Sequence, residues 1–355
     1  MSDILARMRR VMFGAVTVAL LSTLTACTDE AGQGTASSTS TTRTTLTVGL
    51  TYQPDIQFAP FYVADALGWA GEAEHAIFQL RHHGMSESLF GALEVGTEDL
   101  VVAGGDEMYL ARGEGVAVTA VMTMYQTYPV MIIGPADADP QLRAGLRIGI
   151  PGPYGENWYY LLAELAMAGL TPADVEIVNI GYTQQAALMT GRVDAVVGFV
   201  NNDVVRLERA GFPTRPIEAL PMARRWQMLV GASVGVRDDL VTTSAQALQE
   251  YVDIIKRALE YIIEDPERAV DLCVQYIPGL DQPENHQAAL DTLTATISLY
   301  GQVTDSGNVY DVLGTMDTGL WARQEQFLTE VGLTAGTPAE AAYTTVFAGE
   351  RNGDG

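Results

Sequence analysis

Lysine is almost missing from this chain. Of 355 residues only Lys256 is one, and lysine and arginine together number 20 against 44 aspartates and glutamates. The formal net charge is −24. So few cations exclude a nucleic-acid partner, whose phosphates call for a basic face, and favour a self-repelling, well-solvated surface. Cysteine is scarce as well, with Cys27 and Cys273 the two present. No thiol metal site can be built from them. No Walker A, G-x-S-x-G or G-x-G-x-x-G stretch stands in a context that supports it. The longest early apolar run, 11–21, is too short to span a bilayer. What remains is a globular composition, 48% hydrophobic and 18% charged, and a length sufficient for two lobes with a core each.

The first residues have their own logic. Arg7, Arg9 and Arg10 precede the apolar run, and Leu24-Thr25-Ala26-Cys27 follows it. Residues 1–26 read as a secretory signal, and the ending resembles the bacterial lipobox, in which the cysteine becomes the lipidated N-terminus. Cleavage would remove three arginines and Asp3, a net +2, leaving −26. With Cys27 lipidated, no intrachain disulfide is possible. The stretch 27–45 is rich in Thr, Ser and Gly and reads as a flexible tether. The folded part is thereby expected outside the cell, anchored at the membrane.

From residue 46 the pattern alternates. Strand signals at 46–50, 76–80, 99–103 and 116–124 are separated by helical stretches, then 125–133 reads as a further apolar strand. A second unit starts near 135–140: strands 146–150, 175–180 and 195–200, with helices 158–168, 184–190 and 203–210. This is α/β order, two lobes with mostly parallel sheets flanked by helices. The boundaries are 46–133 for the first part of lobe 1, 134–233 for lobe 2, 234–335 for a helical return to lobe 1, and 336–355 for a loop-rich tail. A hinge is expected near 124–134 and 231–236. Residues 243–263 form an amphipathic helix, with Leu248, Tyr251, Ile254, Ile255, Leu259 and Ile262 at helical spacing.

In open α/β sheets ligands gather at the carboxyl ends of strands. Here those loops are 51–60, 82–86, 103–107, 125–128, 151–158, 182–184 and 201–203. The stretch 149–160, GIPGPYGENWYY, is the most telling. It reads as strand, turn and helix start, with more aromatics than a turn needs. Its competing reading is a helix cap at Asn157 with aromatics that merely pack. The loops carry Tyr, Gln, Asn, Asp, Glu and Ser, and of cations only Arg81, His82 and His83. Such walls suit a flat neutral or weakly cationic heterocycle, stacked on Tyr or Trp and hydrogen-bonded at its edge. Anionic sulfonates or phosphates would call for more Arg or Lys. Asp106, Glu107, Glu156 and Asp203 could accept from ring amino groups, or simply be solvated or capping carboxylates. His82-His83 lacks a third metal ligand at a telling spacing, so neither metal nor cofactor is expected.

The order of these loops resembles the periplasmic-type substrate-binding proteins of the family named for the fungal thiamine-pyrimidine synthase. The resemblance lies in TYQPDIQFAPFYVADALGW, GTEDLVVAGGDEMYLARGEGV, LRIGIPGPYGENWYYLLAELAMAGL, GYTQQAALMTGRVDAVVGFVNND and the helix ending EDPERAVDL, over about residues 46–335. It implies a type II periplasmic binding fold whose two lobes close on a ligand and hand it to an ABC permease with its ATPase, the chain itself a monomer. Similar members bind formylaminopyrimidine-type thiamine precursors, related ones riboflavin, others alkanesulfonates or nitrate. The ligand residues carried over are Tyr52, Gln53, Phe58, Asp106 and Glu107 from the first lobe. From the second come Tyr154, Glu156, Asn157, Trp158, Tyr182, Gln184, Asn201 and Asn202. Tyr125 and Tyr128, in the strand region between the lobes, complete the set. The fungal synthase in the same family uses a lysine and a cysteine-rich motif. Here Lys256 lies mid-helix and no cysteine cluster exists, so no enzymatic activity is expected.

Overall fold

The computed structural model describes residues 43–84, 87–219, 228–301 and 309–351. The segment 1–26 expected to be a signal sequence, Cys27, and residues 28–42 of the expected tether lie outside the described residues.

Strands β1 (Thr44–Leu50), β2 (Ala76–His82), β3 (Leu100–Gly104) and β4 (Val118–Thr123) belong to a first five-stranded sheet. β5 (Val130–Pro135), β6 (Arg147–Ile150), β7 (Glu176–Asn179), β8 (Ala195–Phe199) and β9 (Thr214–Pro216) make a second. β10 (Ala232–Arg237) returns to the first, giving orders β2-β1-β3-β10-β4 and β7-β6-β8-β5-β9. β1 runs parallel to β2 and β3, and β6 parallel to β7 and β8. β10 is antiparallel to both its neighbours, and so is β5. Each sheet is thus mostly parallel, and its one reversed strand is the first after a crossing. β3 reads LVVAG and is buried throughout, the unbroken apolar run of a strand covered on both faces.

The pairing of β5 moves the lobe boundary. Val130 to Ile133 already bond β8 of the second sheet. The first crossing is therefore 124–129, short of the 133/134 boundary drawn from the sequence, because an apolar run does not reveal which sheet it joins. Met124 and Tyr125 donate to the carbonyl of Ala232 (2.8 and 3.1 Å), and Gln126 donates to Leu299 (2.7 Å). The apolar stretch 226–236 reads as the returning strand; β10 begins at Ala232, and Trp226 lies outside the described residues.

Helices cover the sheets: α1 (Ala59–Ala66), α2 (Gly105–Gly113), α3 (Gly155–Met167), α4 (Gln184–Met189) and α5 (Val205–Arg209). The return adds α6 (Ala245–Glu264), α7 (Pro266–Cys273), α8 (Pro283–Tyr300) and α9 (Thr318–Glu330). α6 buries the expected stripe, including Leu248, Tyr251, Ile255, Leu259 and Ile262. Each such side chain contributes about 1.5–3 kcal/mol of burial. α6 and α7 pack on α1, and α8 packs on the second lobe, where Arg209 pairs with Asp291. The tail is more ordered than its composition suggests. Ala120 of β4 forms a parallel bridge with Tyr343 (Ala120 N to Ala342 O 2.8 Å, Thr344 N to Ala120 O 2.9 Å), and Phe347 and Ala348 are buried. The backbone of 342–344 thereby adds to the edge of the first sheet beyond β4.

Among the described residues no helix is long and apolar enough to cross a membrane.

Candidate functional site

A cleft of about 1080 Å³ lies between the two sheets. All seven strand-end loops singled out above reach it. α2 lines it from Glu107 to Gly113, and Tyr159 of α3 faces it as well. The seven residues from Glu107 to Gly113 span about 10 Å at 1.5 Å per residue. Aromatic rings come from both sides: Tyr52, Phe58 and Phe90 from the first lobe, Tyr154, Tyr159 and Tyr182 from the second, and Tyr125 from the crossing. At the rim the Tyr52 and Tyr182 rings meet edge to face, centroids 4.8 Å apart.

The start of α3 shows how the lobes are joined. Gly155 has φ +74°, a left-handed turn that a side chain would strain. The N–H of Glu156 is then free, as at any helix start. It is capped from the other lobe: Glu107 Oε1 accepts it at 2.9 Å, while Glu107 Oε2 accepts the N–H of Gly104 at 2.9 Å. Asn157, expected near the same N–H groups, instead donates Nδ2 to Val197 O of β8 (3.0 Å).

Three carboxyls gather here in a nearly dry place. Burial pushes Asp106 up to about 6, against the hydrogen bond it accepts from Tyr128 Oη (2.8 Å). Burial, then the neighbouring Asp106 charge, pushes Glu107 up to about 8. Burial, then Glu107 and Asp106, holds Glu156 well above the ordinary carboxylate range. At the far wall burial raises Asp203 to about 6, partly offset by the N–H of Phe199, which it accepts at 2.8 Å.

Most of the expected residues converge. Tyr52, Phe58, Glu107, Tyr125, Tyr154, Glu156, Asn157, Tyr182, Gln184 and Asn202 line the cleft. Asn202 Oδ1 is buried with no hydrogen-bond partner within the protein. Five do not line it. Gln53 is exposed and reaches only the Tyr52 hydroxyl (3.3 Å). Asp106 and Tyr128 lie bonded to each other behind the wall. Asn201 ties the lobes together from behind, donating to Gln57 (3.0 Å) and Thr296 (2.8 Å). Trp158 packs half-buried against the core, and its neighbour Tyr159 takes the place on the cleft. In a helix one step in sequence turns a side chain about 100°, so an aromatic cluster does not reveal which ring faces in. Lining residues that the sequence reading missed include Phe90, Tyr159, Arg206 and the C-terminal stretch 333–337, which is distant in sequence. Asn201, Asn202 and Asp203 lie in a π-helical turn, Val200–Val204, that sequence periodicity read as a plain helix start.

Cations are few on this surface. Arg206 is the only arginine among the described lining residues, and it pairs with Asp55 at 3.2 Å. His82 is held by Tyr52 O (2.8 Å) and the Tyr62 hydroxyl (3.0 Å), and His83 by Glu98 (2.9 Å). The two rings serve different partners and do not form a chelating pair. Arg81 already bridges Glu87 (2.6 Å) and Glu98 (2.5 Å) beside His83. Lys256 lies off the cleft and donates to Ala348 O (2.7 Å).

Two five-stranded α/β sheets joined by paired crossings, with a cleft between them, define the two-lobed periplasmic binding-protein fold. The aliphatic sulphonate binding protein of Escherichia coli shares it, with a TM-score of 0.61 at 14% identity over 82% of this chain and 94% of that one. The chain belongs to the NMT1/THI5 like family, whose model matches residues 55–269. It is 31% identical over 310 residues to a riboflavin-binding protein of Chloroflexus aurantiacus, covering 85% of each. It is 24% identical over 247 residues to a 4-amino-5-hydroxymethyl-2-methylpyrimidine phosphate synthase of Legionella pneumophila, covering 69% of this chain and 77% of that one.

Proposed function

We propose that the protein is the solute-binding component of an ABC importer and that its solute is a flat heteroaromatic vitamin of the riboflavin type. The observation that carries this is the cleft: long, walled by tyrosines from both lobes, and nearly free of cations. A fused-ring flavin fills such a slot better than the single ring of a thiamine precursor, and the riboflavin-binding relative supports the same choice. The rings stack on the solute, Asn202 and Gln184 meet its polar edge, and hinge closure about 124–129 and the returning crossing traps it. A membrane permease then receives it. A lipid on Cys27 would hold the protein at the outer face of the cell membrane, and the chain acts as a monomer without catalysing a reaction. The synthase relative makes a pyrimidine ligand the second reading.

A thermal-shift panel with riboflavin, thiamine pyrimidine precursors and taurine tests this. A ligand at a hundred times its Kd adds about 2.7 kcal/mol, several degrees for a chain of this size. A shift with riboflavin alone is expected. A shift with taurine alone would overturn the reading.

A further inference from the structure

Asp106 and Glu156 come from different lobes, and their carboxyls converge over one glycine. A Cβ placed on Gly104 would stand 2.3 Å from Asp106 Oδ1 and 2.5 Å from Glu156 Oε1. Both oxygens are enclosed and neither has a hydrogen-bond donor. Asp106 Oδ2 accepts from Tyr128, and both oxygens of Glu107 accept backbone N–H groups, while Glu156 is half-buried and also lines the cleft. Two bare carboxylates side by side in a dry place are strongly unfavourable. One proton between them removes the repulsion and supplies the missing donor.

We propose that closing the cleft takes up one proton, shared by Asp106 of the first lobe and Glu156 of the second. The groups facing the pair are Glu107 from α2, Tyr125 and Tyr128 from the crossing, and Tyr159 from α3. Among the described residues no lysine, arginine or histidine pairs with any of the three carboxyls, so no cation competes for the proton's role. Opening separates the lobes and returns Glu156 to water, where a carboxyl is fully ionised at neutral pH. The closed form therefore binds more protons than the open one. Its advantage is full at low pH and is lost as pH rises through the raised value. The proposal deepens the reading of the cleft as a closing site, and retention of the solute becomes proton-dependent.

The test uses the full chain, its Glu156→Gln variant and its Asp106→Asn variant, with two arms that need no solute. Infrared spectra should show a protonated-carboxyl stretch at neutral pH that Glu156→Gln removes. Small-angle scattering should show wild type more compact at pH 6 than at pH 9, and the Gln variant alike at both, because an amide donates to Asp106 without a proton. In the third arm, wild-type affinity for riboflavin should fall about tenfold per pH unit above the apparent pKa, the slope of one proton, and both variants should lose that slope. Absence of the infrared band, or variants that keep the wild-type pH dependence, overturns the proposal. Failure of riboflavin to bind at any pH speaks against the flavin reading instead, and the two solute-free arms still decide the shared proton.

Discussion

In the first lobe the cleft wall rests on β3 and α2, backed by α6, α7 and α9 and by the returning tail. In the second it rests on the starts of α3 and α4 and a π-helical turn, over a sheet of the same strand order. The outer face of that second sheet has only a small separate cluster, with Ile133, Val196 and Leu207 at its centre. The main core cluster runs through both lobes, and the first lobe carries the buried Asp106 and Glu107. The second carries the more exposed rim tyrosines, Tyr154 and Tyr182, and the single carboxyl Glu156 that meets that pair. Two copies of one topology have become a platform and a jaw, and the difference comes from what the chain adds to the first copy after crossing back.

The largest test of this contrast is to damage each core in turn. Trp321 of α9 is fully buried and stacks on Tyr343 at 5.0 Å. Trp321→Ala should cost roughly 3–5 kcal/mol in urea unfolding, and Leu207→Ala in the jaw about 2–5. Hydrogen exchange should quicken across the first lobe in the former and mainly in the second lobe in the latter. Uniform quickening in both would break the comparison.

A smaller effect is expected where jaw and platform touch. Gly104→Ala places a methyl against Asp106 of its own lobe and Glu156 of the other, so it should cost about 1–3 kcal/mol, read both as a lower unfolding midpoint of the free protein and as weaker riboflavin binding. At the rim, a double-mutant cycle on Tyr52 and Tyr182 should give a coupling of about 0.5–1.5 kcal/mol in the same binding assay. Zero coupling would mean the rim stays open. The smallest effect on binding is at Trp158. Trp158→Ala should leave the riboflavin Kd unchanged while lowering the unfolding midpoint, since the ring packs on core and not on ligand.

Much of this was open to reading in the chain. Alternating strand and helix signals, polar strand ends and aromatic loops are local properties, and they placed all seven loops on the cleft. The charge imbalance, likewise a property of composition alone, argues against a nucleic-acid partner, and the scarcity of cations in the strand-end loops argues against an anionic solute. Other features depend on contacts between distant residues. Which sheet residues 130–135 join, which of Trp158 and Tyr159 faces inward, and how residues 333–337 reach the cleft are settled only by packing. So is the meeting of Asp106, Glu107 and Glu156. A carboxylate's charge state depends on the water removed from around it and on the neighbours that replace that water. Those neighbours are 49 or 50 positions away along the chain and are brought together only when the two lobes fold against one another.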